Sequence, residues 1–303
     1  MEAPLFDSTF LTKLEALHLL SRKIFRGQQH AERRSRQTGS SLEFADYRNY
    51  TSGDDLRNVD WNIYGRLNRL FVKLFEAEED LHVSFLIDCS ASMRWLPEGV
   101  KPGALTKFNH ARRIAAALSY IALANLDRVN LFPFASSLGD DLGFVRGKGQ
   151  FHAVLDFLKR LPERGNEPTD LLASFKTFAH RLKRRGLVFV LSDFFDPQAA
   201  DALAFLRQQQ FEPAALQILD AAECDPSDDF RGDLQLIDSE SGTRLDLTAD
   251  PALIAAYRRE WNRFMTALED RCRAQAIGLI PTTTAAPFED LVLKILRDRR
   301  LVK

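Results

Sequence analysis

Apolar residues recur along this chain with two different periods, and the change from one to the other marks out its elements. Leu11, Leu14, Leu17, Leu20 and Ile24 follow helical spacing within residues 10–26, and the pattern dissolves into GQQHAERRSRQTGSS. A helix leading into a polar, basic loop is predicted. Next, SLEFADYRNYTSGDDLRNVDW has turn residues at Ser52, Gly53 and Asp54, and RLFVKLFEAEEDLHVSFLID holds two β-rich runs interrupted by acidic residues. These predict two strands joined by a turn. The second run, residues 83–87, is almost wholly apolar and ends at Asp88. Such a run suits a parallel strand buried on both faces, whose C-terminal tip opens on a functional crevice.

From there strands and helices alternate. Helical patterns cover 108–126, 151–161, 171–185 and 199–209, and apolar strands cover 129–135, 187–191 and 214–219. Alternation of this kind predicts an α/β fold with a doubly wound, mostly parallel sheet. The segment DLQLIDSESGTRLDL at 233–247 alternates on both sides of Ser-Glu-Ser-Gly and predicts a hairpin inserted near 230–248. A helix at about 251–275, a strand at 277–281 and a terminal helix from Phe288 complete the pattern, with Pro251 and Pro287 at helix starts. At 303 residues one large core is expected. Residues 1–80 would form a helix and β extension packed on a main domain of 81–303.

Composition narrows the class. With 45% hydrophobic and 27% charged residues the chain is expected to fold as an ordinary globular protein. Lys and Arg total 41 against 42 Asp and Glu, so no global field draws it to nucleic acid or to an anionic membrane. Cys89, Cys224 and Cys272 are odd in number and widely spaced, a poor disulfide framework that suits a reducing compartment. The start, MEAPLFDSTFLTKLEALHLL, is unlike a secretory signal. The apolar run 114–126 contains Ser119 and Asn125 and is shorter than the roughly 20 residues that span a bilayer. A cytoplasmic location without membrane insertion is expected.

The chemistry gathers at LIDCSASM, where D-x-S-x-S directly follows the buried strand. The Asp88 carboxylate and the Ser90 and Ser92 hydroxyls can be aimed at one point at the sheet's edge. Magnesium favours six oxygen ligands, with hydroxyls binding directly and aspartates holding its waters, and two further contributions are needed from other loops. Thr169, at a helix start in EPTDLL, and Asp193, at the end of LVFVLSDF, stand on loops that open on the same edge. On spacing alone, D-x-S-x-S reads equally as a strand-end turn whose serines cap the next helix, and Thr169 as a plain N-cap. Cys89 alternates away from Asp88 and Ser90 and reads as a buried, inert thiol. The Asp88 and Ser90 side chains are expected in a surface crevice outside the core.

Other polar segments have structural readings. In GDDLRNVDW, Asp54, Asp55, Arg57 and Asp60 suit turn caps and local ion pairs, with Trp61 packed below. The basic run of Arg22, Lys23, Arg26, Arg33, Arg34 and Arg36 reads as a solvated loop. His30, His110 and His152 lack the paired spacing of a zinc site or of a histidine-based nucleophile.

The set Asp88, Ser90, Ser92, Thr169 and Asp193 resembles the metal-ion-dependent adhesion site of the von Willebrand factor A superfamily. That site combines D-x-S-x-S with a threonine and a later strand-end aspartate. G-x-x-x-x-x-R-x-S at 27–35, EFADYRNYTSGDDLRNVDW at 43–61 and LFVKLFEAEED at 70–80 resemble a bacterial family called domain of unknown function fifty-eight. The resemblance implies a Rossmann-type, von Willebrand factor A-like fold and one Mg2+ or Mn2+ ion held by the five residues. It also implies a non-enzymatic role as adaptor or co-chaperone for a MoxR-type AAA+ ATPase. A first shell rich in neutral hydroxyls leaves the cation most of its charge, so a partner's Asp or Glu is the implied ligand.

Two other classes compete with this reading. A magnesium-dependent phosphohydrolase would use Asp88 as nucleophile, but Ser90 stands where such enzymes place a second aspartate as general acid. A nucleic-acid-binding module would use the basic 22–36 segment and would weaken steeply with salt.

Overall fold

The computed structural model describes residues 5–32, 44–75, 81–96, 105–161, 169–226 and 232–297. The chain divides into two compact units, one of residues 25–80 and one of residues 1–24 with 81–303. Arg33, Arg34 and Arg36 of the basic run lie outside the described residues. The first helix, α1 (Ser8–Glu32), buries Phe10, Leu14 and Leu17 and leaves Leu11 and Leu20 exposed. The buried stripe therefore starts one residue earlier than the leucine spacing suggests, because Phe10 packs on Phe288 with ring centroids 5.0 Å apart.

In the smaller unit β1 (Phe44–Asn49) runs antiparallel to β2 (Phe71–Phe75), with α2 (Trp61–Leu67) between them in sequence. The run at 70–75 thus pairs backwards rather than with the run at 83–87. Aspartates make that reversal. Asp54 accepts from Thr51 N at 2.8 Å and from the Arg48 guanidinium at 2.7 Å, and Asp55 caps the short turn Leu56–Asn58. Asp60 starts α2 by accepting the N–H groups of Asn62 and Ile63, which would otherwise lack partners. The Tyr47 hydroxyl donates to Asp60 at 2.9 Å and, with Lys73 and those amides, holds its carboxyl below the usual range despite partial burial. Trp61, expected beneath this segment, is instead 59% exposed. It is the first residue of α2, and its ring stands beside that of Tyr64, one turn on.

The larger unit is a mixed α/β structure. Its strands and helices follow as β3 (His82–Asp88), α3 (Lys107–Ala124), β4 (Arg128–Phe134), β5 (Val145–Arg146), α4 (Phe151–Arg160), α5 (Leu171–Arg181), β6 (Leu187–Ser192), α6 (Ala199–Gln208), β7 (Glu212–Leu219) and α7 (Ala221–Cys224). They continue as β8 (Gly232–Ile237), β9 (Arg244–Ala249), α8 (Pro251–Ala274), β10 (Gly278–Thr283) and α9 (Phe288–Arg297). Six strands form one sheet in the order β10-β7-β6-β3-β4-β5, parallel except for the two-residue β5. The strands β8 and β9 pair separately as the expected hairpin. Alternate residues of the central strands serve opposite faces. Leu86, Phe132, Phe134, Val188 and Val190 pack under α5, α6 and α8, whereas Phe85 and Phe189 stack on the other face, where α3 lies with α4 and α9. Helix α5 stops short of residue 185 because Leu182 adopts extended backbone and the Arg185 guanidinium donates to the carbonyl of Ala179. Among the described residues no helix is long and apolar enough to cross a membrane.

His110, on α3, is 1% exposed, and among the described residues neither ring nitrogen has a hydrogen-bond partner. Burial, with the nearby Arg113 charge, pushes its pKa down from 6.5 to about 4 against the pull of Glu289. The unfolded chain binds this proton more readily, so the neutral ring favours folding above pH 6.5 and opposes it increasingly as pH falls towards 4. Between these limits the wild type is expected to lose about 3 kcal/mol from this group. His110→Leu should flatten that part of the pH dependence, as measured by urea unfolding across the window.

Candidate functional site

Parallel pairing of β3 with β6 sets Ile87 beside Leu191, so the next residues, Asp88 and Ser192, meet at the C-terminal edge of the sheet. The Ser192 hydroxyl donates to Asp88 Oδ2 at 2.6 Å. The backbone N–H of Ser90 donates to Asp88 Oδ1 at 2.9 Å, and the Ser90 and Ser92 hydroxyls share a hydrogen bond at 3.0 Å. Cys89 is buried and its N–H donates to the Phe134 carbonyl, which ties the loop to β4. Its thiol donates to the Ile87 carbonyl at 3.5 Å, and among the described residues Cys89, Cys224 and Cys272 form no disulfide.

After β6 the chain turns at Phe194, whose φ of 60° lies in the left-handed region, a conformation costing a non-glycine residue about 1–2 kcal/mol. The fully buried Phe194 ring anchors this turn in the core. The turn lets Phe194 N donate to Ser192 Oγ and Phe195 N donate to Asp193 Oδ1. Asp193 Oδ2 accepts from the Lys107 ammonium at 2.8 Å. Lys107, in the first turn of α3, is fully buried, contacts Glu223 as well and lies 4.9 Å from the centre of the Phe195 ring. Glu223 is held by its capping box with Asp220 at the start of α7. Burial favours the neutral lysine, but two carboxylates outweigh it and hold the ammonium above its usual range. Glu223 is shifted up, because burial and Asp193 together outweigh the ammonium it shares.

The N-cap of α5 is Asp170, which accepts from Ala173 N. Thr169 therefore does not cap the helix. Its N–H and its hydroxyl both donate to the Glu240 carboxylate, each at 3.1 Å.

Asp88, Ser92, Thr169 and Asp193 line one cleft of about 370 Å³, and Ser90, which does not line it, is hydrogen-bonded to Ser92. Asp88, Ser90 and Asp193 are almost wholly buried, which for Asp88 and Ser90 corrects the expectation of a crevice outside the core. The parallel register draws these strand-end residues down between the loops. The wall also carries Asp196, Glu223, Asp238 and Glu240, and among the described residues no basic side chain lines it. Burial, followed by the Asp193 charge, pushes Asp88 up to about 7, although bonds from Ser192 and Ser90 lower it in part.

The hydroxyl and carboxylate groups that line this cleft are of the kind that suit a hard divalent cation. The Ser90, Ser92 and Thr169 oxygens would hold it, with Asp88 and Asp193 supplying charge, and it would offer a positive centre to an incoming anion. Among the described residues no cluster of three His, Cys, Asp or Glu side chains able to hold a metal ion occurs. A cation here would therefore rest on hydroxyl and water oxygens as much as on carboxylates.

Residues 46–267, well over half of the chain, match the family described as "Protein of unknown function DUF58". The chain belongs to this family. It is similar to the uncharacterized protein Rv1480 of Mycobacterium tuberculosis, with 24% identity over 258 residues, or 84% of this chain and 78% of the relative. The same figures hold for the uncharacterized protein Mb1516 of Mycobacterium bovis. Among solved structures the DUF58 chain is similar to an aerotolerance-related membrane protein from Bacteroides fragilis, with a TM-score of 0.43, 14% identity, and 71% of this chain and 96% of that one covered. It is also similar to the conserved hypothetical protein BatB from Bacteroides thetaiotaomicron, with a TM-score of 0.39, 12% identity, and 65% and 98% covered.

Lys107, Ser192, Glu223 and Glu240 join the site without having been read from the sequence. Ser192 was the most accessible of them, since a strand-end Ser-Asp beside a strand-end Asp brings a hydroxyl to the neighbouring carboxylate once the register is known.

Proposed function

We propose that this DUF58 chain is a protein-binding module of von Willebrand factor A type that uses one Mg2+ or Mn2+ ion to hold a partner's Asp or Glu side chain. The convergence of Asp88, Ser92, Thr169 and Asp193 on one acidic cleft carries this reading. Without a cation, the carboxylates of the wall would repel an acidic partner. With one, the same wall raises the local concentration of the dication and leaves it a position to share. By the resemblance noted above, the partner is a MoxR-type AAA+ ATPase or its substrate, and the chain acts as an adaptor.

Calorimetric titration with Mg2+ tests the site directly. Asp88→Asn and Ser90→Ala keep side-chain size while weakening the donor set, and each is expected to lower affinity at least about tenfold with an unchanged circular dichroism spectrum. Unchanged affinity in the folded double variant would overturn the reading. Capture of a partner with magnesium but not with chelator would then extend it from cation to protein.

A further inference from the structure

The tip of the β8–β9 hairpin reaches the same cleft from outside the sheet. Asp238, Ser239 and Glu240 line it together with Asp88, Thr169 and Asp193. The tip is a built turn. Asp238 Oδ1 accepts the N–H groups of Glu240 and Ser241, its carbonyl accepts from Gly242 N at 2.9 Å, and Gly242 takes a φ of 69°. A residue with a Cβ is strained at such a φ. Held in this way, Glu240 directs both carboxylate oxygens at Thr169, one to the N–H and one to the hydroxyl. A fifth or sixth acidic group would gain nothing from this crowded wall on Coulomb grounds alone, yet the hairpin presents one here in extended reach from a peripheral two-stranded sheet.

We propose that Glu240 is the site's own carboxylate ligand. It stands where a partner's carboxylate would stand, so a partner binds by displacing the hairpin tip. This inference rests on the cation-dependent reading above and adds the shape of the partner to it: an acidic side chain at the apex of a tight turn, able to take over the two donors of Thr169. The hairpin then sets the threshold for binding, since a weak or poorly shaped carboxylate loses to one already tethered a few ångströms away.

The test uses the full chain with Mn2+ as the probe, its affinity and bound water being read by water-proton relaxation, and acetate as the smallest carboxylate. Wild type is expected to bind Mn2+ and to ignore acetate. Glu240→Ala should bind Mn2+ about tenfold more weakly, with more water on the ion, and acetate should reverse the added hydration. Glu240→Gln keeps an acceptor for Thr169 but loses the charge, and is expected to behave like the alanine variant. If Glu240→Gln matches wild type, or if neither variant responds to acetate, Glu240 is only a hydrogen-bond partner of Thr169 and this proposal falls while the cation site stands. If wild type binds no Mn2+, the cation-dependent reading falls first and takes this one with it.

Discussion

Replacing Lys107 with methionine is expected to cost about 3–5 kcal/mol of folding stability, read as a lower urea midpoint with an unchanged slope. The substitution nearly preserves volume, so the cost is electrostatic. Lys107 is fully buried and supplies the ammonium between Asp193 and Glu223, which are themselves almost or largely covered. Removing it leaves two carboxylates facing each other without a counter-ion in a region that already shifts Glu223 and Asp88 upwards. Loss of the contact with the Phe195 ring adds a smaller term. Lys107→Met with Glu223→Gln should recover part of the loss, because one of the stranded charges is removed. A change below about 1 kcal/mol in the single variant would mean that water or protonation already screens the triad.

Gly186→Ala should be nearly as damaging, at about 3 kcal/mol or more, the upper end of the range for overpacking. A Cβ at position 186 would lie 2.2 Å from the His82 carbonyl oxygen and 3.0 Å from its Cβ. His82 opens β3, and the Gly186 carbonyl accepts from Glu212 N at the head of β7. The glycine is thus squeezed between backbones on both sides, and no side chain is there to swing away. Thermal unfolding compared with that of Gly149→Ala, where the added Cβ meets nothing within 4 Å, separates this squeeze from the general effect of losing a glycine. Equal midpoints would refute it.

Much of the larger unit was legible because its strands are buried on both faces and so read as unbroken apolar runs. The run at 83–87 and its terminal aspartate pointed to the edge where the candidate cleft opens, and the 187–191 run is its paired neighbour. Element ends erred where a single side chain decides them, as at Leu182. The pairing of β1 with β2 was missed because both runs carry polar residues and the turn that joins them contains a helix, whose start depends on Asp60. Lys107 was illegible for a physical reason: a lysine at a helix start reads as solvated unless two acids from distant loops are known to meet it. Glu240 was visible as a hairpin residue, but nothing in the alternation of 233–247 says which way the hairpin points.

The hydrogen bond between Asp88 and Ser192 joins residues 104 positions apart. Between them the chain lays down α3, β4, β5, α4, α5 and all of β6 before the two side chains can meet. No intermediate that lacks β6 beside β3 contains the cleft, and contacts of such separation are slow to form. Occupancy of the cleft is therefore a report on the pairing of β3 with β6. Whatever binds there draws population from the unfolded chain by mass action, so its ligand would act as a late-stage stabiliser of the whole unit and slow its opening.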